Sequence, residues 1–137
     1  MVLQGTVRGA RGYVFYAYHA IYLYSEKADP GKTQMQWANV VPVIRLLHEL
    51  TPFILSKEKA PEVEVRQIAG PAVEAKALTH DGKTCMVIAA VGPGRASAEL
   101  FVRGEDRLTS KYGKTKNLGG GKYLFEGTDV SSDVLMP

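Results

Sequence analysis

The sequence predicts a mainly β protein, an antiparallel β-sandwich preceded by a lone β/α segment, and three observations carry that expectation. Residues 12–24 read Gly-Tyr-Val-Phe-Tyr-Ala-Tyr-His-Ala-Ile-Tyr-Leu-Tyr, with β-favouring side chains on both alternating faces. Trp37, Val40, Val41, Ile44, Leu47 and Leu50 then recur at three- and four-residue spacing, the stripe of an amphipathic helix. From Lys57 onward, short apolar-polar alternations are broken by turn residues about every ten positions, as in sandwiches and barrels. The change of texture divides the chain into a β/α segment at 1–59 and a sandwich at 60–137.

A strand that is apolar on both faces expects cover on both sides, the habit of parallel strands in α/β proteins. The polar stretch Ser25 to Gln34, containing Asp29-Pro30-Gly31, reads as a loop. Pro42 fits the following helix if Asn39 is its N-cap, because a first-turn proline lacks only an orphan N–H. Thr51-Pro52 is expected to end the helix, since the residue before proline avoids the α region. In the second part, Val73, Ala75 and Ala77 share one strand face, and His80-Asp81-Gly82-Lys83 turns the chain. Thr84 to Val91 returns as a more buried strand; Gly92-Pro93-Gly94 turns again before Ala96, Ala98, Leu100 and Val102 alternate with polar neighbours. Fainter strands are expected near Arg107 to Thr109, Lys122 to Glu126 and Asp133 to Met136, with a glycine turn at 119–121.

Composition narrows the classes of function. A chain of 137 residues with 45% hydrophobic and 23% charged residues is globular, and is too short for a complete eight-fold β/α barrel, which needs roughly 200 residues or more. Its 17 basic and 14 acidic residues leave a charge of +3, too little for a strong field toward nucleic acid or anionic lipid. No run of the sequence reads as a membrane span, so neither nucleic acid nor membrane is expected as a partner. The lone cysteine, Cys85, forms no internal disulfide and does not set the compartment.

Chemistry-bearing residues are sparse. His48 sits near a helix end, His80 in a turn beside Asp81, and Cys85 alternates with Val87 and Ala89 as a buried thiol would. Paired cysteines, His-x3-His and His-Glu-x-x-His are all missing, so no metal site and no cofactor are expected. Gly119-Gly120-Gly121-Lys122 lacks the spacing of a phosphate loop. The basic residues around Tyr112 are interrupted by Glu105 and Asp106, which argues against a nucleic-acid groove. The concentrated feature is the tyrosine strand, where Tyr16, Tyr18, Tyr22 and Tyr24 share one side and His19 lies opposite. Such a cluster suits either a packed core or a platform for sugar rings.

Two segments resemble a known family. Gly9-Ala10-Arg11-Gly12-Tyr13-Val14-Phe15-Tyr16-Ala17-Tyr18, with Trp37-Ala38-Asn39-Val40-Val41 and Leu47-His48-Glu49-Leu50-Thr51-Pro52-Phe53-Ile54-Leu55, is similar to the last strand and helix of a barrel-type glycoside hydrolase. Val73 to Ala77, His80 to Thr84 and Met86 to Ala90 resemble the small C-terminal β-sandwich that follows such barrels. The resemblance implies a non-catalytic C-terminal region of a larger enzyme, with a supporting or accessory sandwich. Catalytic carboxylates would lie on earlier strands, so no catalytic residue is assigned, and Glu26 and Asp29 match no catalytic motif. Substrate-lining roles would fall on Tyr16, Tyr18 and His19, making carbohydrate the candidate ligand. A carbohydrate-binding module using aromatics such as Phe101, or an interaction domain, are the alternatives. In the last case the Tyr13–Tyr24 strand would pair with a second copy, giving a homo-oligomer, or fold back on the sandwich.

Overall fold

The computed structural model of the chain describes residues 2–13, 29 and 31–137. Two helices, α1 (Val2–Val7) and α2 (Lys32–Leu55), precede eight strands: β1 (Val63–Ala69), β2 (Val73–His80), β3 (Lys83–Ala90), β4 (Arg95–Val102), β5 (Thr109–Ser110), β6 (Thr115–Gly119), β7 (Lys122–Thr128) and β8 (Ser132–Met136). The strands form two antiparallel four-stranded sheets, ordered β1-β4-β7-β6 and β2-β3-β8-β5. The expected antiparallel β-sandwich is therefore the fold, preceded by helix; the expected first strand falls on residues outside those described.

The alternation that identified the strands also builds the core. Ala96, Ala98, Leu100 and Val102 of β4 face Val73, Met86, Ile88 and Ala90 of the second sheet, with Tyr123, Phe125 and Leu135 filling between them. Because β3 is buried along both faces from Thr84 to Ala90, its outer side chains Cys85, Val87 and Ala89 need a second cover. Helix α1 supplies it, packing on β3 and β2 with Leu3 and Thr6 buried. Asp-Gly at 81–82 makes the β2–β3 turn, both residues having positive φ, at 49° and 68°. Gly119, Gly120 and Gly121 all have positive φ at the β6–β7 turn. Strands β1 and β6 are additions to the strands anticipated from sequence.

The chain divides into two compact units, Met1–Arg11 with Pro52–Pro137, and Gly12–Thr51. Helix α2 begins and ends differently from expectation. It starts at Lys32, seven residues before Asn39, and continues through Thr51-Pro52 to Leu55, so Pro42 and Pro52 are interior. Each proline leaves the carbonyl four residues earlier without its helical donor, a local cost that the surrounding helix-forming residues outweigh. The Thr51 hydroxyl donates to the Leu47 carbonyl at 2.7 Å, the i−4 back-bond of a threonine within a helix. The extended helix is also apolar. With a mean hydropathy of 1.3 over its apolar window, it is long and apolar enough to cross a membrane by length and composition, a property shared by core helices of water-soluble proteins. Met35 and Trp37 are exposed on it, whereas Thr33, Leu46 and Leu50 are buried.

Candidate functional site

Several polar contacts of the first compact unit lie where the chain enters the sandwich. Arg8, just beyond α1, makes a two-pronged ion pair with Glu74 of β2, Nε donating to Oε2 at 2.9 Å and Nη2 to Oε1 at 2.8 Å. Hydrogen bonding to Arg8 holds the Glu74 carboxyl below its ordinary range. Arg11 donates to the Ser56 carbonyl at 3.2 Å, tying the N-terminal segment to the segment leaving α2. Glu58 then reaches the β2–β3 turn, where its two oxygens accept from the Asp81 amide at 2.7 Å and the Gly82 amide at 3.2 Å. Phe53 meets the His80 ring edge to face, with centroids 6.1 Å apart.

These contacts border a cleft of about 480 Å³. Its walls come from Gly9 to Arg11, from Phe53 to Val63 and from Ala75 to Thr79 of β2. The Lys76 ammonium lies over Gly9, 3.7 Å from the point that a side chain there would first occupy. A second groove, of about 450 Å³, crosses the outer face of the first sheet. Half-buried Phe101 forms its floor, and Glu64, Arg66, Glu99 and Lys122 form a charged rim.

Among the described residues, the fold assembles a trio that sequence spacing does not suggest. Glu58, His80 and Asp81 each bring a ligand-type atom within 4.8 Å of the others. Glu58 lies 22 residues before His80, and only the return of β2 beside the exit of α2 joins them. Both Glu58 oxygens are occupied by turn amides, and the Gly82 and Asp81 hydrogen bonds, in that order, lower its pKa. A general acid for glycoside cleavage requires a raised carboxyl pKa. Glu58 has the opposite, so its local role is to cap the turn.

Tyr16, Tyr18 and His19, the residues expected to face sugar, lie outside the described residues, as does Glu26; Asp29 is exposed. His48 is exposed on α2. Cys85 is fully buried, and burial pushes its thiol up to about 12, leaving it protonated and unreactive. The aromatics of the sandwich divide by face: Tyr123 and Phe125 are in the core, Phe101 is half-buried and Tyr112 is exposed.

Architecture and contacts together define a β-sandwich fastened along its second sheet to the segments that precede it. Comparison with protein-family models, with curated proteins and with solved structures returns no match.

Proposed function

We propose that this chain is the non-catalytic C-terminal region of a glycoside-hydrolase-like protein, in which the β-sandwich supports the preceding β/α segment. The observation that carries the reading is the fastening of the entry segments to the second sheet: Arg8 to Glu74 at one end, and Glu58 to the β2–β3 turn at the other. A freely tethered binding module needs no such ties, because a flexible linker serves it better. A supporting domain needs them, because it acts by holding its neighbour in place. The resemblance of residues 9–18 and 37–55 to the end of a hydrolase barrel supports reading that neighbour as a barrel end.

The test has three readouts. The purified 137-residue chain is expected to leave aryl glycosides uncleaved and to give no heat with a panel of oligosaccharides. The native polypeptide in its source cells is expected to be longer than 14.9 kDa, with further β/α units encoded in frame upstream. A native product of this size, or glycoside cleavage abolished by substitution within the chain, overturns the proposal. Saturable heat lost on Phe101→Ala replaces it with the carbohydrate-binding alternative.

A further inference from the structure

The first sheet has two edges, β1 and β6, and they differ in what they offer a neighbour. β6 is five residues long and irregular between Asn117 and Gly119. β1 is seven residues long, pairs only with β4 among the described strands, and is exposed from Glu64 to Ala69. Its register with β4 is regular from Val63 to Gln67 and shifts only beyond, between Gln67 and Ala69. The regular stretch Val63-Glu64-Val65-Arg66-Gln67 is centred on Val65. It contains no proline, and Val65 is 38% exposed. Unpaired edge groups of this kind are a template for another strand.

The charges on that stretch are self-complementary. Glu64 and Arg66 project on the same face, one residue either side of Val65. If two copies of β1 pair antiparallel about a two-fold axis through Val65, Val65 meets Val65, while Glu64 of each copy stands opposite Arg66 of the other. Opposite charges at directly paired positions favour a register, and like charges disfavour it. A two-fold axis through Arg66 would oppose two guanidinium groups. Within one copy, Glu64 has no ion-pair partner among the described residues, whereas Arg66 already lies 3.3 Å from Glu99 on β4. Pairing would therefore place Arg66 between two carboxylates and supply the counter-charge that Glu64 lacks.

We infer that β1 is a homodimerisation edge, joining two copies into one continuous eight-stranded sheet centred on the Val65 pair. The contact is isologous and closes on itself, so it gives a dimer rather than a fibre. It uses neither residues 13–24 nor the cleft, and stands independently of the hydrolase-like reading.

The experiment is mass determination by light scattering on the full chain, together with cysteine cross-linking. The wild type is expected at twice 14.9 kDa. Glu64→Arg opposes two cations at both symmetric positions and is expected to weaken association about tenfold or more. The exchange Glu64→Arg with Arg66→Glu restores the complementarity and is expected to recover the dimer. Paired residues lie about 4.5–5.5 Å apart between Cα atoms, within disulfide reach. Val65→Cys should therefore cross-link under mild oxidation, while Ile68→Cys, which meets residue 62 in this register, should not. Buried Cys85 does not compete. A wild type that is monomeric even at about 1 mM, a dimer indifferent to Glu64→Arg, or equal cross-linking at both positions overturns the inference; a melting curve confirms that each variant is folded.

Discussion

Thr115 of β6 donates its hydroxyl to Asp133 of β8 at 2.7 Å, linking the two sheets of the sandwich through a buried carboxylate. The same Asp133 oxygen accepts from the Ser110 hydroxyl at 2.6 Å, and the other accepts from the amides of Tyr112 and Val134 at 3.1 and 2.8 Å. Four donors satisfy a charge that would otherwise be costly to bury. Asp133→Ala is expected to lower unfolding free energy by about 3 kcal/mol or more in urea titration, because two hydroxyls and two amides lose their acceptor. Asp133→Asn should cost less, since rotating hydroxyls can accept from the new amide group.

Tyr123 makes two polar contacts to the loop between β4 and β5. Its buried hydroxyl donates to the Glu105 carbonyl at 2.7 Å and accepts from the Leu108 amide at 3.2 Å. Tyr123→Phe keeps the packing and removes both bonds, so a loss of about 1–2 kcal/mol is expected by the same titration. Burial raises the phenol pKa, so in an alkaline spectrophotometric titration this residue should ionise after an exposed tyrosine does.

Two glycines separate backbone strain from steric exclusion. A methyl group on Gly70, at φ 75°, would lie 1.8 Å from the Arg95 carbonyl oxygen; one on Gly82, at φ 68°, meets nothing within 4 Å. Gly82→Ala is expected to cost about 1 kcal/mol, the left-handed penalty alone. Gly70→Ala should cost well over about 2 kcal/mol, because β1 and β4 must also move apart. Thermal unfolding of the pair measures the difference.

Cys85 should resist thiol reagents in the native state, being fully buried and held protonated with a pKa of about 12. Labelling with a disulfide dye is expected to follow global unfolding, giving one equivalent per chain only in denaturant. Rapid native labelling would show that α1 leaves β3 readily.

Acid should loosen the ties between the entry segments and the second sheet. Glu58 and Glu74 both have lowered pKa values in the folded state, so their contribution is present above the unfolded-state value near 4.5 and is lost as pH falls below it. Both sites are solvent-exposed and screened, which makes the effect local rather than global. Amide exchange at Asp81 and Gly82, corrected for intrinsic rates, should accelerate between pH 5 and pH 3 in the wild type. Glu58→Gln should remove most of that pH dependence.

By itself, the sequence determined the sandwich, because alternation along Val73–Ala77 and Ala96–Val102 and the turns at Asp81-Gly82 and 119–121 are local consequences of strand and turn geometry. It also marked Cys85 as a buried thiol. Local rules failed where long-range packing competed with them, as at the prolines of α2, which the helix runs through; β1 carries a legible Val63-Glu64-Val65-Arg66 alternation, whereas β6 carries none. Only the tertiary structure brought Glu58 to the turn beyond His80, Arg8 to Glu74, and Ser110, Thr115 and Asp133 to one point. Those pairings span 18 to 66 residues of chain, and nothing in the local pattern encodes a partner at that distance. It is decided by which sheet edges and faces the folded backbone sets side by side.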